Sequence, residues 1–391
     1  MRRRAGPLAA AVLVVGAFFL GFMITRADSG ASTATAPLRP DRPVRVVDEV
    51  RAVLLSSYYR WIEPDVLRAE TVDEVLEGLD DQHTRYLTKA EYLSLRETTE
   101  GTYSGIGLTV GPARRGLLVT SALRGPAREA GIRKGDIIVR IDGERAEELP
   151  FERSLALIKG ETGSRVRLTV KRPRSGAIEF TVVRREIDLV PLSARMIEVG
   201  DRKIAYLRIY SFPEGADDQI ARATSRLVER GAKGAVLDLR DNPGGLFSQA
   251  VSTASVYLGD GVVCRTDGVH EDPRTYSVTG FPTHPEIPLV VLVNNGTASA
   301  AEIVAGALHD NDRATLVGEQ TFGKASVQTI AALRNGGALK LTTAKYVTPA
   351  GADITGRGIH PGIVAVDNPV TDGDEALRIA RRTLVDVLTE Q

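Results

Sequence analysis

Two short apolar runs limit what this chain can fold into more than any other feature. Leu289–Val293 is uninterrupted Leu-Val-Val-Leu-Val, and 235–239 is apolar apart from Asp238. Neither alternates apolar with polar residues, so neither suits a sheet with one wet face. Both fit strands covered on two sides. Around them the pattern turns helical: in 217–230, Ile220, Ala223, Thr224, Leu227 and Val228 share one face and Gly231 follows as a stop. A further strand is read over 204–209. This alternation, from about 187 to 371, predicts a mostly parallel or mixed sheet with helices on its faces. In such sheets the chemistry sits in loops beyond the carboxyl ends of the strands. Three loops qualify: 241–245, 294–299 and 318–324.

The 391 residues suffice for two to three domains. Upstream of the α/β part, Val47, Val50, Leu54 and Tyr58 recur at helical spacing, and Thr71 with Glu74 has capping-box spacing ahead of Val75, Leu76 and Leu79. We read 44–100 as a helical region, with Tyr58 and Trp61 as core aromatics. From 101 to 186 the runs 117–120, 137–141, 166–171 and 179–183 are strand-like. Gly-Pro, Asp-Gly and Ser-Gly pairs separate them, and a single helix is read over 150–159. This predicts a small α+β module. The third part is 187–391, giving an α/β and α+β multidomain chain.

The first residues bear on compartment. Arg2, Arg3 and Arg4 precede a charge-free apolar run over 5–25. A helix of that length spans about 30 Å, the thickness of a bilayer core, and the arginines hold its start in the cytoplasm. An uncleaved single-pass anchor over 1–26 is preferred to a cleaved signal peptide, because the small residues Ala34-Thr35-Ala36 lie well past the apolar run. The Ser-, Thr-, Ala- and Pro-rich stretch 27–43 reads as a spacer, which places the remainder on the extracytoplasmic side. With 50 basic and 50 acidic residues the formal charge is zero, which argues against a nucleic-acid-binding field. Cys264 is the one cysteine, so neither an intrachain disulfide nor a cysteine zinc site can form.

Ser299 follows the strand Leu289–Val293 through an Asn-Asn-Gly-Thr turn and precedes a helical run. A serine at a helix start has free N–H groups beside it, that of Ala300 first, and these suit an oxyanion. The same residues, Ser299-Ala300-Ala301-Glu302, also form a capping box, and taken alone the segment favours the cap. In the third loop, Gly318 to Lys324 fits most of a phosphate loop. However, Ala325 replaces the magnesium-binding Ser or Thr, and 326–330 alternates like a strand where a helix should follow. A nucleotide site is therefore disfavoured. Lys324 is a solvated cation, or else a base whose proton affinity burial lowers. In the second case Gln328, four residues on, could hold its amine. The histidines 83, 270, 284, 309 and 360 show no metalloprotease spacing, and no Gly-x-Ser-x-Gly serine loop occurs.

Several segments, in order, resemble the carboxyl-terminal processing proteases, also called tail-specific proteases. They are Leu79-Asp80-Asp81-Gln82-His83-Thr84-Arg85-Tyr86-Leu87-Thr88, Tyr103-Ser104-Gly105-Ile106-Gly107-Leu108, and Gly135-Asp136-Ile137-Ile138 to Ile141-Asp142-Gly143. Asp238-Leu239-Arg240-Asp241-Asn242-Pro243-Gly244-Gly245, Gly296-Thr297-Ala298-Ser299-Ala300-Ala301-Glu302, Thr321-Phe322-Gly323-Lys324-Ala325-Ser326-Val327-Gln328, and Gly358-Ile359-His360-Pro361 follow. The resemblance spans roughly 48–367. It implies a serine endopeptidase in which Ser299 is the nucleophile, Lys324 the general base and Gln328 its orienting partner. Gly245 and Ala300 would be the oxyanion donors. It implies that 101–186 is a PDZ domain, with Gly105, Ile106, Gly107 and Leu108 receiving the C-terminal tail of a polypeptide substrate. It implies no metal and no nucleotide, and it is compatible with a homo-oligomer or an activating adaptor. The alternative class is a membrane-tethered PDZ adaptor with an inactive protease fold. Ala301, Asn295, Ala325 and Gln82-His83-Thr84 depart from the usual pattern and bear on substrate preference and activation.

Overall fold

Successive residues of a strand face opposite sides of a sheet, so a strand apolar throughout must be covered twice. That requirement is met in the computed structural model of the chain, which describes residues 45–390 except 124, 173–175, 189–190, 281 and 368–372. The segments read as anchor and spacer lie outside the described residues. Among those described, no helix is long and apolar enough to cross a membrane.

The chain begins with α1 (Val46–Ser57) and α2 (Val72–Gly78), the latter opened by the Thr71–Glu74 capping box. A short strand, Arg85–Leu87, and α3 (Lys89–Glu100) follow. The middle module is an antiparallel sheet of Leu108–Ala113, Gly116–Ala122, Ile137–Ile141, Arg165–Arg172 and Gly176–Val183. It also carries α4 (Pro126–Glu129) and α5 (Phe151–Ile158). Its own core includes Ile106, Val119, Ile138, Val166, Leu168 and Val170. Where the chain enters and leaves the module, Thr102–Gly105 pairs antiparallel with Arg185–Asp188.

The last part holds a sheet in the order Leu192–Val199, Arg202–Ile209, Gly234–Asp238, Leu289–Val293, Thr315–Gly318, Ile363–Val364. The first pair is antiparallel and the others parallel. Three helices, α6 (Ala216–Glu229), α7 (Phe247–Tyr257) and α8 (Ala300–Asp310), cover the face that carries Leu207, Leu237, Val291 and Val293. The opposite face, with Ile204, Tyr206, Val236, Val290 and Leu292, is covered by α9 (Glu375–Glu390).

A second, antiparallel sheet is built around Ala338–Val347. One edge of that strand takes Ser326–Ala332; the other takes Arg85–Leu87 near one end and Val262–Gly268 near the other. The helical N-terminal region therefore contributes a strand to the α/β part, and Val50, Leu54, Tyr58, Val75 and Leu79 pack on Leu339 and Leu341. The expectation for Tyr58 holds, since it is fully buried. That for Trp61 does not: its ring is 77% exposed and lies edge-on to His270. Its neighbour Ile62 packs against the core that holds Tyr58 instead.

The one acidic interruption of the apolar runs has a structural reason. Asp238 is fully buried at the end of its strand and accepts hydrogen bonds from Tyr206 Oη (2.6 Å) and from Arg240 Nε and Nη2 (2.9 and 2.7 Å). Arg240 also donates to Asp367 (2.8 Å) and Asp374 (2.8 and 2.9 Å), anchoring the start of α9 below loop 241–245. Removing one partner of a buried pair leaves the other charge uncompensated. Arg240→Ala is therefore expected to lower stability by about 3–5 kcal/mol in urea unfolding. Arg222→Ala, which loses only an exposed pair with Asp218, should change it by less than about 1 kcal/mol.

Candidate active site

All three loops expected to carry chemistry converge at the carboxyl ends of the parallel strands. Loops 241–245 and 294–299 are stitched together. Asn294 takes the Asp241 N–H (2.9 Å) and gives its amide to Asp241 Oδ1 (2.9 Å), Ala298 N–H reaches Asn242 O (2.9 Å), and Thr297 Oγ1 donates to Leu239 O (2.8 Å). The third loop joins through Phe322 N–H to Thr297 O (3.0 Å).

Ser299 sits at the sharp turn from strand to α8 with φ +56° and ψ −120°. A non-glycine residue in that region is strained and persists only where its surroundings hold it. The glutamate half of the capping box read from the sequence is present: the Glu302 carboxylate accepts the Ser299 N–H at 2.8 Å, while the Glu302 N–H goes to Ser299 O. Sequence reasoning missed what else that carboxylate does. Glu302 is 1% exposed, and it also accepts Thr321 Oγ1 (2.6 Å), Gly323 N–H (2.6 Å) and Lys324 N–H (2.8 Å). Tyr346 repeats the connection from another side: its hydroxyl lies 2.9 Å from Lys324 O and 3.2 Å from Ser299 O. A buried carboxylate and a buried phenol thus tie the backbones of Ser299 and Lys324 together. The signal available in the sequence was the capping glutamate, whose second oxygen needs donors once buried.

Loop 241–245 approaches so closely that only glycine fits. A Cβ on Gly244, at φ +105°, would lie 3.0 Å from Ser299 Cβ and 3.0 Å from Ala300 N. One on Gly245 would lie 2.4 Å from Phe212 O. The flanking bonds, Phe212 N–H to Gly244 O and Leu246 N–H to Phe212 O, leave the Gly245 N–H without an acceptor among the described residues; Ala300 N–H has none either. Two free donors beside one serine can stabilise a developing oxyanion.

The Lys324 amine is half-buried. Burial first, then the Lys340 charge, pulls its pKa down to about 8, while Asp81 and Glu302 pull it up. Asp81 is held by Thr84 Oγ1 (2.6 Å), His83 N–H (2.9 Å) and Thr342 Oγ1 (2.8 Å), so the 79–88 segment forms part of the lysine's surroundings. Among the described residues the Lys324 amine makes no hydrogen bond or ion pair. Gln328, on the strand Ser326–Ala332, donates its amide to Ser326 Oγ at 2.7 Å and not to the lysine. The strand after Lys324 also removes the phosphate-loop alternative, which requires a helix there. Gly105, Ile106, Gly107 and Leu108 lie well away in sequence, along a groove of the middle module.

The family model for peptidase family S41 matches residues 203–365, and one for the PDZ domain matches 119–172. A carboxyl-terminal-processing protease of Picosynechococcus is 41% identical over 305 residues, covering 77% of this chain and 73% of its own. The chain belongs to the carboxyl-terminal processing proteases of peptidase family S41. The carboxy-terminal processing protease CtpA of Bacillus subtilis is 32% identical over 335 residues, covering 85% of this chain and 70% of its own. The solved structure of a photosystem II D1 C-terminal processing protease superposes with a TM-score of 0.52 at 27% identity, covering 86% of this chain and 96% of that one. The chain is accordingly a serine peptidase acting on polypeptides, with a mixed α/β protease core and a PDZ module.

Glu302→Gln replaces an acceptor of four donors with a group having one acceptor oxygen and two donors of its own. Orphaning buried N–H groups is expected to cost about 2–3 kcal/mol in thermal or urea unfolding. Loss of register between residues 299 and 324 should lower the peptide-cleavage rate on the order of 100-fold.

Proposed function

We propose that Ser299 Oγ attacks the scissile peptide carbonyl while the neutral Lys324 amine takes its proton. The C–O bond forms as the carbonyl becomes an oxyanion, which Gly245 and Ala300 N–H groups receive. The resulting ammonium returns the proton to the departing amine as the C–N bond breaks, leaving an acyl-enzyme. Lys324 then deprotonates water, which releases the acid and restores Ser299. The observation that carries this reading is a lysine depressed to about 8 whose backbone is tied to that of a strained serine beside two free N–H donors. Without a Ser299–Lys324 hydrogen bond this is a resting arrangement, since such bonds often tighten only when substrate is bound. Gln328 orients the lysine once its amide leaves Ser326.

The PDZ module captures the substrate's C-terminal tail. The tail adds along Leu108–Ala113 with its carboxylate toward the backbone of 105–108. Apolar 5–25 anchors the chain, so substrates are exported polypeptides met on the extracytoplasmic side.

Cleavage of a tail peptide should vanish in both Ser299→Ala and Lys324→Ala while tail binding persists; wild-type cleavage equal to that of Ser299→Ala would leave only an adaptor. The pH profile carries its own sign. The working base is the neutral amine, so kcat/KM should rise with pH, reach half its plateau near pH 8 and flatten above it. A profile flat between pH 6 and 9, with chemistry limiting, would remove Lys324 as the base.

A further inference from the structure

We infer that the half-buried amine of Lys340, with Arg85 opposite it, is a subsite for a carboxylate of the substrate on the leaving-group side of the scissile bond. The inference rests on the reading of Ser299 and Lys324 as nucleophile and base. In that reading the Lys324 ammonium must reach the departing amine, so the first residues of the leaving fragment lie on the lysine's side of Ser299. Lys340 stands on that side. It belongs to Ala338–Val347, the strand that pairs with Ser326–Ala332 directly after Lys324. Residues two apart on a strand share a face, and Thr342 on that strand turns its hydroxyl to Asp81. Leu339 and Leu341, on the other face, pack into the N-terminal core. Lys340 therefore looks into the corner that also holds Asp81 and Lys324.

Among the described residues this corner gathers cations without a free carboxylate. Arg85 is directly opposite Lys340 across one antiparallel pair, and Ile330 is opposite it across the other. Like charges so placed are destabilising. Burial first, then the charges of Lys324 and Lys340, lower the pKa of His83, which makes these three side chains near neighbours. The Lys340 amine itself makes no hydrogen bond or ion pair among the described residues, and burial followed by the Arg85 charge pulls its pKa down. The nearby carboxylates are committed elsewhere. Asp81 takes Thr84 Oγ1, Thr342 Oγ1 and the His83 N–H, and Glu302 takes its four donors. Glu91, 3.9 Å from Arg85, caps α3 through Thr88. A buried amine without a partner costs free energy, and the like-charge pair adds to that cost. A carboxylate arriving with the substrate removes both penalties and makes a charge-assisted hydrogen bond. A polypeptide carries that group in two places: an Asp or Glu side chain, and the α-carboxylate of a short leaving fragment.

The test uses the full chain and quenched fluorescent peptides that share one carboxyl-terminal tail, with the cleavage site fixed by mass spectrometry. Gln is exchanged for Glu at the first, second or third residue after the scissile bond. At one of these positions Glu should lower KM about tenfold at neutral pH, and Glu before the scissile bond should not. Lys340→Gln is expected to reduce the preference to about twofold and Lys340→Arg to keep it. Lys340→Glu should reverse it in favour of Lys at the same position, a gain that misfolding cannot produce. Peptides shortened to end at that position, as free acid and as amide, separate the two sources: a lower KM for the free acid assigns the terminal carboxylate, and a lower KM for Glu alone assigns the side chain. If Glu and Gln peptides share one KM at every position in the parent, or if Lys340→Gln moves the pH profile without changing the preference, the amine only tunes Lys324. The inference then falls while the serine–lysine reading stands. If the parent cleaves none of the peptides, that reading falls as well.

Discussion

Glu302 is a carboxylate with almost no access to water, and it survives there because four donors converge on it. An isolated buried charge would be prohibitive. Hydrogen-bonded by Ser299 N–H, Thr321 Oγ1, Gly323 N–H and Lys324 N–H, it instead turns the first turn of α8 and the lysine loop into one rigid piece. The arrangement has directional consequences. Two of the donors are the backbones of the serine and the lysine themselves, so the carboxylate fixes the spacing of the two backbones without touching either side chain. Tyr346 acts on the carbonyls of the same two residues, in the peptide groups that follow. The strain at Ser299 is held by this pair and by loop 241–245, whose glycines admit no side chain at the contact.

The environment of the lysine is assembled from distant parts. The strand that follows it belongs to the antiparallel sheet, its clamp to the helix after a parallel strand, and Asp81 and His83 to the N-terminal region that shares the antiparallel sheet through Arg85–Leu87. Lys340, on the neighbouring strand Ala338–Val347, adds a like charge. Burial and like charge both disfavour the ammonium, so the amine is partly neutral at mildly alkaline pH.

Much of this was legible. The two runs free of polar alternation announced a sheet covered on both faces, and their alternating residues divide between α6–α8 and α9 as that argument requires. The capping boxes at Thr71 and Ser299 are local, set by residues three apart; the first formed in full and the second through its glutamate. Only 326–330 was read as strand-like; the antiparallel sheet around it was not foreseen because its strands are separated by up to some 250 residues. Gln328 was read as the lysine's partner from the family resemblance, and neither that nor its spacing shows that Ser326, two residues back on the same strand, takes the amide in this arrangement. Trp61 was misread because apolarity indicates what a side chain prefers, not whether a core exists within reach.

By itself the sequence determined the parallel sheet, the positions of its loops, the serine at a helix start and the ordered motifs of a known peptidase family. These follow from short-range chemistry: periodicity, caps, and glycines where backbones must turn. Tertiary structure alone decided that one capping glutamate also grips the lysine loop, that a phenol far along the chain seconds it, and that the amine between them is partly dry. Desolvation and hydrogen-bond satisfaction are properties of a place in space, and residues distant in sequence create that place only when they pack.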